Sequence, residues 1–204
     1  MQDPGWYNRL VTEKLPHDSQ VERPGKWTYD DLAVLPDDGK RHEIIDGEHY
    51  VTASPIMKHQ AVLGQLYYLI RAYMADRPIG RALLSPLDVV FSPFDVVEPD
   101  LLFVSNERSE VLTRKNVQGA PDLAVEILSE SNRRYDEITK RQLYDRFGVS
   151  EYWIVDPEIE TVKAYRRTGG AFARVAELSN EAGDQLTTPL MPGLTIPLRS
   201  LFAE

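Results

Sequence analysis

A chain of 204 residues with 42% hydrophobic side chains can bury one good core, and no apolar run approaches the roughly 18 residues that cross a bilayer, which points to a cytoplasmic protein. The absence of cysteine excludes disulfides, thiolate zinc sites and cysteine nucleophiles, and the four histidines (His17, His42, His49, His59) show no ligand-like pairing, so any metal would be bound by oxygen. A formal charge of −9 argues against a surface made for nonspecific nucleic-acid binding, whose affinity comes from Lys and Arg neutralising phosphates.

Residues 1–25 carry Pro4, Gly5, Pro16, Pro24 and Gly25 with little periodicity and none of the basic-then-apolar layout of a secretion signal, so they read as an N-terminal arm ahead of a single domain over 26–204. Thr28, with Asp31 three residues on, predicts a short capped helix ending at Pro36. Arg41 to Val51 reads as a hairpin turning at Asp46-Gly47. The longest helix is expected over Lys58 to Asp76, with His59, Val62, Leu63, Leu66, Leu69, Ile70 and Tyr73 as its apolar stripe. Its first-turn His59 reads as a packed or capping histidine. Leu87 to Phe91 and Val96 to Val104 predict an antiparallel hairpin around Ser92-Pro93-Phe94-Asp95, and the polar stretch from Ser105 to Ala120 is long for a connection between strands.

Pro121 to Pro157 predicts a strand–helix–strand unit. Leu123, Ala124 and Val125, then Ile127 and Leu128, form the near-continuous apolar run of a strand covered on both faces, and Glu126 interrupts it. A buried carboxylate needs a cation, a hydrogen-bond network or a raised pKa. Ser129 to Asn132 is turn and cap chemistry, and Tyr135, Ile138, Leu143, Tyr144 and Phe147 then mark a helix that Gly148 ends. Lys140 lies three, four and seven residues before Leu143, Tyr144 and Phe147, so it sits on or beside the apolar stripe and aims its ammonium at the sheet. The plainer alternative for Lys140 is an exposed pair with Asp136, worth about 0.3–0.5 kcal/mol. Glu151 to Asp156 is the second strand, with Tyr152 and Trp153 read as core and rim, and a crossover of this length favours parallel pairing. Thr161 to Tyr165 and Phe172 to Ala176 predict one more hairpin, and the Pro-rich tail is irregular apart from short β pieces.

Asp100 stands at the mouth of the apolar run Leu101 to Val104, as Glu126 stands inside its own. Two such acids on neighbouring strands, with a lysine nearby, suit a hard cation such as Mg²⁺ held by carboxylates, waters and a substrate phosphate. The plainer alternative for Asp100 is an acid that caps loop amides. The basic pairs Arg114-Lys115, Arg133-Arg134 and Arg166-Arg167 are the candidate phosphate contacts.

Val97-Glu98-Pro99-Asp100-Leu101, the stretch from Gly119 through Glu126 to Ser129, Lys140 to Tyr144, and Phe147 to Pro157 together resemble the Uma2 family, restriction-endonuclease-like proteins of the PD-(D/E)XK nuclease superfamily. The Glu43-to-Glu48 hairpin and the start of the long helix share the likeness, which spans about residues 26–200. The resemblance implies an α/β restriction-endonuclease-like fold, a central mixed sheet flanked by helices. It implies Asp100 and Glu126 as metal ligands, Glu43 as an accessory acid, and a Mg²⁺-dependent (or Mn²⁺-dependent) DNA endonuclease that uses a water activated by the ion. Leu128 stands where the superfamily motif has lysine, so Lys140 is expected to supply that amine from the helix. Pro121-Asp122 repeats the Pro-Asp dipeptide, but Asp122 shares a strand with Glu126, some 13 Å away at strand rise, too far to share one ion. Two other readings stay open: a catalytically degenerate module binding nucleic acid or protein, and a hydrolase of small phosphoesters. A homodimer is expected from the two sites that cutting a duplex requires, with Leu194 to Leu198 as the edge to be covered.

Overall fold

The computed structural model of the chain describes residues 25–36, 38–52, 54–129 and 133–203. The expected N-terminal arm, apart from Gly25, and most of the Ser129–Asn132 turn lie outside the described residues.

Thr28 opens a one-turn helix, α1 (Tyr29–Leu32), and donates its N–H to the Asp31 carboxylate at 2.9 Å, the capping box that the spacing predicts. The antiparallel hairpin β1 (Arg41–Ile45) and β2 (Glu48–Thr52) turns at Asp46 and Gly47, with φ of 56° and 80°, the left-handed pair that a two-residue turn demands. The long helix is α2 (Met57–Met74), which buries His59, Val62, Leu63, Leu66, Ile70 and Met74 along one stripe.

Sequence periodicity leaves β3 (Gly80–Leu84) unmarked, and the chain then forms the expected hairpin of β4 (Val89–Ser92) and β5 (Asp95–Val97). The expected single strand from Val96 to Val104 is instead two. Pro99 has no N–H to give to a ladder, and the Glu98 N–H donates to the Glu43 carboxylate at 2.8 Å, so the chain leaves one sheet there and enters another as β6 (Leu101–Ser105). The polar connection after β6 holds a 3₁₀ segment (Asn106–Val111) and the short β7 (Val117–Gln118).

The central unit follows the reading: β8 (Leu123–Ile127) is buried throughout, β9 (Glu151–Asp156) pairs parallel to it, and Gly148, at φ 83°, ends the crossover helix. That helix begins as a π-helical turn (Tyr135–Lys140) and becomes α-helical in α3 (Arg141–Arg146). One expectation is corrected, since Ile138 is exposed and not part of the stripe; Lys140 is buried, as its place beside Leu143 and Tyr144 predicts, and so is Asp136 four residues before it. β10 (Thr161–Thr168) and β11 (Ala171–Ser179) make a longer hairpin than the periodicity marks, and β12 (Gln185–Thr187), β13 (Thr195–Pro197) and α4 (Leu198–Leu201) close the chain.

Among the described residues the strands form a five-stranded sheet, β2-β1-β5-β4-β7, a six-stranded mixed sheet, β11-β10-β9-β8-β6-β3, and the two-stranded β12-β13 ladder. Period-two alternation divides the six-stranded sheet into two buried faces. Leu101, Phe103, Leu123, Val125, Trp153 and Val155 pack against α2 and the C-terminal segment. Leu102, Ala124, Leu128, Tyr152 and Ile154 pack against α3 and the five-stranded sheet. Glu126 has the parity of Ala124 and Leu128, so the strand delivers it into the layer between the two sheets. Leu194, Ile196 and Leu198 are buried in the chain's own core, so this segment is not the free apolar edge that motivated a homodimer. No described helix is long and apolar enough to cross a membrane.

A Cβ added at Gly80 would stand 2.3 Å from the Val104 carbonyl oxygen, whereas Gly64, inside α2, has nothing within 4 Å. Gly80→Ala is expected to cost about 1–3 kcal/mol in urea unfolding, and Gly64→Ala to stabilise by up to about 1 kcal/mol.

Candidate active site between the two sheets

Three elements converge beneath one cavity. Leu101 pairs with Val125 across β6 and β8, so Asp100, one residue earlier, lies across from Glu126, one residue later. Asp100 Oδ2 accepts the Ile127 N–H at 2.8 Å, which locks the acid to the end of the neighbouring strand. Lys140 reaches in from the π-helical turn and donates to Glu126 Oε1 at 2.9 Å. Asp100, Glu126 and Lys140 all line a cavity of about 370 Å³, whose wall also includes Arg41, His59, Ser129 and Asp136. The first turn of α2 borders it without a side-chain cap, which leaves the positive end of that helix at the cavity edge.

Each acid has partners that sequence reading missed. Asp100 Oδ1 receives Arg41 Nη2 at 2.9 Å, and its Oδ2 lies 3.1 Å from His59 Nε2. His59 is therefore more than a packed histidine: α2 carries it to the acid from the other face of the sheet. Glu126 Oε1 also accepts the Tyr144 hydroxyl at 2.7 Å, one helical turn beyond Lys140. Glu43, carried by β1 of the five-stranded sheet, stands 2.8 Å from the ammonium through Oε1. It does not line the cavity but backs Lys140 from beneath. Arg41 and Glu43 are two apart on β1 and so share a face. That spacing was the available signal, and it becomes informative only once β1 is known to face this layer.

Lys140 is 2% exposed and Asp136, 3.7 Å from it, is also buried, so the exposed-pair alternative does not hold. Nor is Asp122 part of the site. It accepts the Ser105 N–H at 2.7 Å at the far end of β8. Tyr152 and Trp153 are core residues. Of the expected phosphate contacts, Arg133 pairs with Asp156, Arg166 with Glu151 at 2.5 Å, Arg167 with Asp145 at 2.9 Å, and Lys115 lies over the Tyr29 ring.

Charge is unbalanced in this layer. Two permanent cations, Arg41 and Lys140, are shared among the carboxyl groups of Glu43, Glu98, Asp100, Glu126 and Asp136. Burial alone would lift Asp100, yet the His59 contact, Arg41 and the Ile127 amide hold it at about 2. Burial lifts Glu126 to about 7 against the pull of Lys140, and Asp100 and Glu43 add to the lift. Burial likewise raises Glu98 to about 7 and Asp136 well above the usual range. Burial by itself would lower Lys140, but Glu126, Glu43 and Asp136 hold its ammonium well above its ordinary value. The second oxygen of Glu43 is buried with no hydrogen-bond partner among the described residues.

Carboxylates in excess of their cations favour a proton or a further cation. Among the described residues no grouping of three His, Asp or Glu could enclose a metal. An ion here would take the cavity-lining Asp100 and Glu126, with water or substrate oxygens completing its shell, which suits Mg²⁺ or Mn²⁺ better than zinc. The Glu126 contacts described above both fall on Oε1, and Oε2 takes no part in them.

The family model described as "Uma2: Putative restriction endonuclease" matches residues 28–199. Among solved structures, a "putative nuclease belonging to DUF820" from Anabaena variabilis superposes with a TM-score of 0.72 at 23% identity, over 86% of this chain and 97% of that one, a likeness of fold. No curated protein matches the sequence.

Removing the buried ammonium strands Glu43, Glu126 and Asp136, so Lys140→Ala is expected to lower stability by about 3–5 kcal/mol in urea unfolding, against less than about 0.5 kcal/mol for an exposed pair. Glu126 binds its proton more tightly in the folded protein, at about 7 against an ordinary 4.5. Its contribution to stability is complete below pH 4.5 and is lost as pH rises through 7. Across that window wild type should lose up to about 1.4 kcal/mol per pH unit relative to Glu126→Gln, read from unfolding midpoints at several pH values.

Proposed function

The chain belongs to the Uma2 family, and from that premise we propose that it is a Mg²⁺-dependent phosphodiesterase of the restriction-endonuclease-like kind, acting on DNA. The observation that carries this reading is that Asp100, Glu126 and Lys140, from two strands and a crossover helix, open onto one cavity. Asp100 and Glu126 are the residues that would hold the ion. Such an ion polarises a phosphate oxygen and makes a water more acidic.

The remaining work falls to the protein. The depressed pKa of Asp100 keeps it ionised at any working pH, while Glu126 ionises near neutrality unless a cation replaces its proton. Lys140 keeps its charge because three carboxyl groups surround it, and its ammonium is placed to stabilise negative charge building on a phosphate. The Tyr144 hydroxyl, kept protonated by burial and by Glu126, fixes the Glu126 rotamer. Arg41, beside Asp100 in the cavity wall, is the cation best placed to meet an incoming phosphate. Lys140 thereby supplies from the helix the amine missing at Leu128. A homodimer would bring two such sites together, without using the buried C-terminal segment.

Glu126→Gln and Asp100→Asn keep side-chain shape, which makes them cleaner tests than Lys140→Ala. Each is expected to reduce Mg²⁺-dependent cleavage of DNA by about 10²–10³ while circular dichroism stays native, and Glu126→Gln to abolish Mn²⁺ binding in calorimetry. Metal binding by wild type with no cleavage of any DNA would favour the degenerate module. Absence of metal binding would leave the cluster as a structural ion network.

A further inference from the structure

Resting on the phosphodiesterase reading, we infer that the substrate is an unpaired stretch of a DNA strand, not an intact duplex. The first ground is how deeply the reactive groups are recessed: Asp100 and Lys140 are each 2% exposed and Glu126 1%. A duplex presents its phosphates on the outside of a stiff, stacked rod. Such a rod cannot follow a cavity of about 370 Å³ down to groups at that depth. A single nucleotide freed from stacking can swing its phosphate inward, as bases do when enzymes extrude them from the stack.

The second ground is the chemistry of the rim. Ile56 lines the cavity and is 59% exposed, and Met57 beside it is 88% exposed. Pro157 and Glu158 also line the wall, and the next residue, Ile159, is 63% exposed. Large apolar side chains left in water around a charged site offer sequence-independent apolar contact to an unstacked base. A duplex hides those faces in its own stack.

The third ground is that several of the described cations are already engaged by acids. Lys58, next to the lining residues Ile56 and His59, is paired with Glu158 at 3.6 Å, and Arg133, Arg166 and Arg167 are engaged with acids of the fold. Duplex affinity is drawn mainly from phosphate contacts, and this engagement of cations weakens that source, whereas apolar contact to a base adds affinity that no phosphate contact need supply.

The test uses the full chain, a fluorescent oligonucleotide alone or annealed to its complement, and bis(p-nitrophenyl) phosphate as a diester without a base. Glu126→Gln is expected to bind the single strand at least about 10-fold more tightly than the duplex in fluorescence anisotropy, and wild type with Mg²⁺ to cleave the single strand faster. Ile56→Ser combined with Met57→Ser should lower kcat/KM on the single strand roughly 10-fold relative to that on the small diester. The control Val175→Ser, an exposed apolar residue on β11, should leave that ratio as in wild type. Equal or tighter duplex binding, or an equal loss on both substrates in the rim variant, overturns the inference. If neither the diester nor either DNA is hydrolysed, the phosphodiesterase reading fails by itself, and the binding preference alone then decides this one.

Discussion

The ammonium of Lys140 holds the two sheets and the crossover helix to one another. Glu43 comes from the five-stranded sheet, Glu126 from the six-stranded sheet and Asp136 from the same π-helical turn, and all three meet one Nζ atom. Apolar packing joins these layers without direction, whereas an ion contact fixed at 2.8–2.9 Å to two sheets sets their register. Such a cluster is expensive to bury, and an apolar replacement of the same shape would stabilise as well or better. That a chain this size keeps five carboxyl groups around two cations in its interior is more easily understood as chemistry than as scaffolding.

The same layer explains the irregular features nearby. Ile138 lies about 200° round the helix from Lys140 and faces outward, whereas Asp136 and Lys140, four residues apart, share the face turned to the layer. Glu98-Pro99-Asp100 breaks what would otherwise be one strand. Glu43 takes the Glu98 amide, and Asp100 is left at the strand mouth, where Arg41, His59 and the Ile127 amide reach it. The break at Pro99 thus holds a charged group at the cavity.

Much of this was legible in the sequence because strands and helices announce their buried faces. A glutamate inside Leu-Ala-Val-Glu-Ile-Leu and an aspartate ahead of Leu-Leu-Phe-Val contradict their surroundings, and Lys140 contradicts its helix stripe. Arg41, His59 and Tyr144 contradict nothing locally. An arginine at a strand start, a histidine in a first helical turn and a tyrosine on an apolar face each have an ordinary explanation, and only the tertiary approach of β1, α2 and α3 to the acids gives them a role. The sheet switch at Pro99 was hidden for a related reason: both halves of the run are apolar, and pairing partners decide where a strand ends. β3 escaped notice because Gly80-Arg81-Ala82-Leu83-Leu84 has neither the alternation nor the β-branched residues that mark a strand.

The acidic balance of the chain looks at first like an obstacle to handling a polyanion. In the fold, Lys140 is recessed in the cavity wall among its carboxyl partners, Arg41 is drawn toward Asp100, and three arginines on the later strands and helix are paired with acids. Little positive charge is left to project a long-range field, and at physiological salt such a field fades within about 8 Å in any case. What remains is short-range: a recessed pair of cations, an uncapped helix end, and acids whose raised pKa values show how readily they would accept one more positive charge. On the proposed reading a phosphate must come to such a site at close quarters, so selectivity falls to cavity shape and rim contacts, and the net charge of the surface becomes a secondary matter.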